Sequence, residues 1–138
     1  MFLLDTNVVS ELRRPERCDP NILAWARGQA VTDFYLSSIS ILEVEIGAQR
    51  VSRRGPAQGA TLRHWIDKVL LPQFAGRILP VDTAIAQRCA ALHVPDPRAD
   101  RDALIAATAL VHGMTVVTRN AQDFAPLGVA LLNPWQGT

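Results

Sequence analysis

Residues 2–5 read Phe2-Leu3-Leu4-Asp5. Three apolar residues without a polar interruption suit a strand buried on both faces, and this one ends in a carboxylate. Working outward, Phe34 to Ser37, Ile78 to Val81, Thr115 to Thr118 and Val129 to Leu132 have the same character. All are short, apolar or β-branched, and unbroken rather than alternating, which is the pattern of a parallel sheet. Helical stretches lie between them. Asp19-Pro20 predicts a capped helix to about Gly28, with proline in the first helical position. Ser40 and Glu43 have capping-box spacing and predict a helix to about Arg50. A further helix is expected from Gln58 to Leu70, ending before Pro72. Asp82 and Asp100 read as the caps of two later helices, the second stopping at His112 with Gly113 beyond it. The segment Arg50 to Ala60 reads as a surface loop. Strands alternating with helices imply an α/β fold, a three-layer α/β/α sandwich around a central, mainly parallel sheet.

The chain has 138 residues and a mass of 15.1 kDa, which predicts one domain over 1–138. Apolar types make up 49% and charged types 20%, enough for a packed core and too ordered a balance for a disordered chain. The longest near-continuous apolar run, Ala103 to Val111, falls far short of the roughly 20 residues of a membrane span. Asp5 stands near the start with no basic segment before it, so no signal peptide is expected and a cytoplasmic location is. Cys18 and Cys89 lie in no metal-binding or redox spacing. The net charge is +1, and 13 of the 14 basic residues are arginine, the side chain that grips phosphate bidentately. A GC-rich genome produces the same bias.

The carboxylates carry the functional signal. Asp5 follows the first strand, and ligands of open α/β sheets bind outside the carboxyl ends of strands. Glu43 is expected in the first turn of the helix after the second strand, and Asp102 in the first turn of the helix leading to Thr115. Asp123 is expected in a loop just beyond that strand. All four should meet at one edge of the sheet. Two unit charges about 4 Å apart at an effective dielectric near 20 repel by about 4 kcal/mol, so such a group takes up protons or binds a cation. Oxygen donors without His or Cys select Mg²⁺ or Mn²⁺, and a pocket of this kind suits metal-assisted hydrolysis of a phosphate ester. Each acid also has a local explanation. Asp5 can cap the turn that follows it, Glu43 can partner Ser40, Asp102 can favour a helix dipole, and Asp123 can be an ordinary loop acid.

Several blocks together resemble one family. They are Leu3-Leu4-Asp5-Thr6-Asn7-Val8; Ser38-Ile39-Ser40-Ile41-Leu42-Glu43 with Gly47; and Asp102-Ala103-Leu104-Ile105-Ala106-Ala107-Thr108-Ala109 with Gly113. Val117-Thr118-Arg119-Asn120 with Asp123-Phe124, and Leu132-Asn133-Pro134-Trp135, complete the series. In this order they are similar to PIN-domain proteins, specifically the VapC-like and FitB-like toxins of bacterial type II toxin–antitoxin pairs. The resemblance implies a PIN-like fold and a Mg²⁺- or Mn²⁺-dependent endoribonuclease. It implies that Asp5, Asp102 and Glu43 hold the metal, and that Asp123 takes a fourth catalytic place. Some members carry an Asp where this chain has Asn120. Thr118 and Asn120 would orient the acids by hydrogen bonds, with Asp100 as an outer helper. Arg119, beside the site, is the RNA-contact candidate. The implied partners are an RNA substrate, a VapB-like antitoxin and a second copy of the chain, with DNA reached only through the antitoxin and no membrane.

Two other readings compete. One is a catalytically inactive PIN-like protein that acts only by binding its antitoxin or RNA. The other is an aspartyl-phosphate phosphatase or receiver domain. The phosphatase wants a second Asp two residues after the first, where this chain has Asn7, and both want a lysine near a later strand, whereas Lys68 falls in a helix.

Overall fold

The computed structural model describes residues 1–137. In chain order it contains β1 (Phe2–Leu4), α1 (Thr6–Leu12), α2 (Pro20–Arg27), β2 (Phe34–Ser37), α3 (Ser38–Arg54) and α4 (Pro56–Trp65). A π turn over Ile66–Leu70 leads into α5 (Leu71–Gln73). Then come β3 (Ile78–Leu79), α6 (Thr83–Leu92), α7 (Asp100–His112), β4 (Thr115–Val117), α8 (Ala121–Phe124) and β5 (Leu131–Leu132). The strands form one five-stranded sheet in the order β3-β2-β1-β4-β5, every pair parallel and helices flanking it. The α/β expectation is met.

The order places the site. The chain lays down β1, β2 and β3 outward in one direction, then crosses back to put β4 on the other side of β1. The switch point is therefore between β1 and β4, and the crevice opens at their carboxyl ends. Leu4 stands opposite Val117 there, so the next residues, Asp5 and Thr118, emerge side by side.

Side chains alternate across the strands, which explains why unbroken apolar runs were required. Leu4 and Val117 pack on one face with Val8, Ile22, Val44 and Ile66. Leu3 and Val116 pack on the other with Ile105, Ala106 and Phe124. Each fully buried Leu or Val of this kind contributes about 1.5–3 kcal/mol. A smaller cluster of Ile85, Cys89, Ala103 and Ala107 joins α6 to α7. Trp25 packs in the first cluster edge-on to Phe2 and tilted against Phe34, with ring centroids at 5.2 and 5.5 Å.

Several boundaries differ from the sequence reading. β3 ends at Leu79, because Pro80 has no N–H to offer a ladder. The cap of α3 is Ser37, whose Oγ accepts from the N–H of Ile39 at 3.0 Å. The Ser40–Glu43 capping box therefore does not form: Ser40 lies within the helix, 1% exposed, and its hydroxyl has no partner. The segment Arg50 to Ala60 is not a loop. α3 runs to Arg54, and Gly55 alone separates it from α4, with Pro56 at the first position of the new helix. Gly59 permits this hairpin, since a Cβ there would sit 2.1 Å from Ser52 Oγ and 2.5 Å from Ser52 Cα. The helical path also continues past Pro72 to Gln73, where the proline occupies the first turn of α5. The caps at Asp19 and Asp82 are present, accepting from Asn21 and Ile85. Asp100 is not a cap: α7 starts on it, and Ala99 precedes it without a side-chain bond. Gly113 ends α7 in the left-handed region at φ 67°, as the sequence indicated.

Candidate active site

Asp5 is the centre of the arrangement. It is 6% exposed and its backbone N–H donates to Val117 across the switch point at 2.9 Å. One carboxylate oxygen, Oδ1, accepts from the N–H of Thr6 at 2.8 Å, so Asp5 also caps α1. The other, Oδ2, accepts from Thr118 Oγ1 at 2.8 Å and from Asn7 Nδ2 at 3.3 Å. Burial pushes the Asp5 carboxyl above its ordinary value, the bonds from Thr118 and Thr6 pull it partly back, and the charges of Glu43 and Asp102 raise it again.

The other acids reach this centre from separate elements. Glu43 lies in the second turn of α3 rather than the first, since that helix begins at Ser38. Its Oε1 accepts from Thr6 Oγ1 at 2.7 Å, and its Oε2 lies 3.8 Å from an Arg101 guanidinium nitrogen. Asp102 is in the first turn of α7, as expected. Its carboxyl is raised by burial first, then by the charges of Asp123 and Glu43. Asp123 is in the short helix α8 rather than a loop, exposed, with its backbone N–H on the carbonyl of Asn120 at 3.0 Å. At this edge of the sheet Asp5 thus feels the charges of Glu43 and Asp102, and Asp102 those of Asp123 and Glu43. Among the described residues, no three His, Cys, Asp or Glu side chains close into a metal-holding group.

The polar frame is equally specific. Thr118, fully buried, accepts from the N–H of Asn120 at 3.0 Å while it donates to Asp5. Asn120 therefore acts through its backbone. Asn7 ties the two strand ends together, donating to Thr118 Oγ1 at 3.4 Å and accepting from the N–H of Arg119 at 3.2 Å. Arg119 is exposed, its guanidinium 5.5 Å from the centre of the Trp135 ring. Asp100 is exposed, its Oδ1 3.7 Å from His93 Nε2. Thr6, Asn7 and Arg101 are the residues that sequence reasoning did not single out. Thr6 and Asn7 follow the key acid directly, but nothing in their order announces a bond to Glu43, 37 positions away.

A model of the PIN domain matches residues 2–128. The chain belongs to the PIN-domain family. Within it, Toxin FitB of Neisseria gonorrhoeae is 38% identical over 98% of this chain and 99% of its own. VapC ribonuclease Y4jK of Sinorhizobium fredii is 34% identical over 99% of both chains. Among solved structures, that of FitAcB from Neisseria gonorrhoeae superposes with a TM-score of 0.88 at 36% identity, covering 98% of this chain and 99% of the other. That of FitAB bound to a DNA fragment gives 0.84 at 36% identity, covering 98% and 96%. No helix of the described residues is long and apolar enough to cross a membrane.

Proposed function

We propose that this PIN-domain protein is a divalent-metal-dependent endoribonuclease and the toxin of a type II toxin–antitoxin pair. The observation that carries the reading is a buried aspartate at the switch point of a parallel sheet, held at both oxygens and pressed by two further acids. Like charges gathered at such a place are relieved by a cation. The donors are all carboxylate oxygens, with no His or Cys among them, which fits Mg²⁺ or Mn²⁺. Asp5, Asp102 and Glu43 would hold the ion, with Asp123 completing the charge at the outer edge. When bound, the ion supplies charge stabilisation at the phosphate and activation of water.

The remaining work falls to the chain. Thr118 and the N–H of Thr6 fix the direction in which Asp5 presents its free lone pairs. Thr6 Oγ1 does the same for Glu43. Arg101, half exposed beside Glu43, is placed to meet a substrate phosphate with a guanidinium fork. Water attacking in line with the 3′ oxygen leaves a 5′ phosphate and a 3′ hydroxyl. The relatives named as a VapC ribonuclease and a FitB toxin support RNA as the substrate, and the FitAB complexes support an antitoxin partner that carries the DNA contact.

The test is cleavage of RNA by purified wild type and Asp5→Asn in Mg²⁺, with a chelator control and circular dichroism of both. Chelator-sensitive cleavage that disappears in a folded Asp5→Asn supports the reading. Cleavage by Asp5→Asn at the wild-type rate overturns it, and an inert binding protein cuts under neither condition.

A further inference from the structure

A second concavity adjoins the acids. It measures about 450 Å³, within the roughly 300–1,000 Å³ of small-ligand sites. Asp102 and Asp123 form the wall it shares with the acid centre. Pro126 and Leu127, on the turn after α8, give it an apolar surface, with Leu127 largely buried. Gln122 and Arg98 supply the polar groups. The two have different chemistry. Gln122 carries a donor and an acceptor on one planar amide, the combination that reads the edge of a base, whereas Arg98 carries a charge that meets phosphate. The Arg98 segment is anchored: its backbone N–H donates to His93 Nδ1 at 3.1 Å. Gln122, Arg98, Pro126 and Leu127 make none of the bonds that hold Asp5 and Glu43, which come from Thr118, Thr6 and Asn7.

We propose that this concavity is a nucleotide subsite for single-stranded RNA, seating the base next to the cleaved phosphodiester. The inference rests on the ribonuclease reading and gives it a specificity-determining element. The base lies against Pro126 and Leu127, the Gln122 amide reads its edge, and Arg98 takes the neighbouring phosphate. A duplex does not fit, because a base must leave its stack to enter.

Two measurements test the subsite. Folded Asp5→Asn protein in Mg²⁺ is photo-crosslinked to a short single-stranded RNA of random sequence containing thiouridine, and the labelled peptides are mapped. Label on the segment 121–127 is expected; label confined to other segments overturns the proposal. Wild type, Gln122→Ala and Gln122→Glu are then compared on a random RNA pool by sequencing the cut ends. In Gln122→Ala the preference at one position beside the cut falls by about ten-fold, the worth of one good hydrogen-bonded contact. Gln122→Glu, which loses the donor, changes the preferred base at that same position. Unchanged preference in both variants overturns the proposal. Arg98→Ala is expected to flatten the dependence of log affinity on log salt by about 0.7, one phosphate contact on a single strand. If wild type cuts no RNA, the ribonuclease reading fails, while label on 121–127 still establishes RNA contact at the subsite.

Discussion

Thr118→Val is the sharpest probe of how the site is built. Thr118 is fully buried, and valine has nearly its shape, so the change removes a hydroxyl without opening a cavity. That hydroxyl donates to Asp5 Oδ2 at 2.8 Å and accepts from the N–H of Asn120 at 3.0 Å. A buried hydrogen bond to a charged group is worth about 1.5–3 kcal/mol, and the Asn120 N–H, at an exposed residue, can turn to water. The metal-free variant should therefore be less stable by about 2 kcal/mol at neutral pH. For a chain of this size that lowers Tm by about 8 °C. The bond from Thr118 lowers the Asp5 pKa, so its loss raises that pKa further and moves the acid limb of the rate profile to higher pH. The stability difference should shrink in acid, where Asp5 is protonated in both proteins and the bond is no longer charge-assisted. Thr118→Ser should restore most of both properties. Thermal denaturation across pH, with cleavage measured over the same range, checks all of this. An unchanged Tm together with an unchanged rate profile would refute the view that Thr118 positions Asp5.

Other outcomes follow from the same geometry. The Asp102 carboxyl is raised by burial and by Asp123 and Glu43, so the folded state holds its proton more tightly than the unfolded chain does. Stability from this group therefore falls as pH climbs from about 3.8 through the raised folded value, and the full penalty persists above it. Metal-free Asp102→Asn should accordingly be more stable than wild type at neutral pH and equal to it in strong acid, as urea titration at both pH values reads; a less stable variant at neutral pH contradicts the repulsion argument. Ser40→Ala removes a buried hydroxyl that has no partner, so it should leave stability unchanged or raise it by about 1 kcal/mol. A loss above that in chemical denaturation shows that the hydroxyl is bonded in solution. Arg101→Ala should weaken cleavage about ten-fold or more while Tm stays within a few degrees, because its pairing with Glu43 is long and half exposed. A variant with full activity removes Arg101 from the phosphate path.

How far the sequence reached can be judged residue by residue. Phe2-Leu3-Leu4-Asp5 disclosed both the central strand and the acid at its end, because a strand buried on both faces leaves no other reading of an apolar run that stops at a carboxylate. The caps at Asp19 and Asp82 and the stop at Gly113 were legible for a similar reason: each is satisfied within a few residues of itself. The Arg50 to Ala60 segment misled, since Gly55-Pro56 reads as a break but serves as a one-residue joint whose tightness depends on Gly59 meeting Ser52. Ser40 and Glu43 had the spacing of a local pair. Tertiary packing instead put Ser37 at the helix start and gave Glu43 to Thr6.

The sequence by itself determined the parallel sheet, most of the helices and the identities of the acids, because hydrophobic period and capping are short-range properties of the chain. Only the tertiary structure decided which oxygen of Asp5 Thr118 holds, that Asn120 acts through its backbone, that Glu43 answers to Thr6 and Arg101, and that Gln122 and Arg98 share a concavity with Asp102. Thr118 reaches Asp5 across 113 positions and Thr6 reaches Glu43 across 37, and the first of these bonds exists only once β4 has crossed back to lie beside β1.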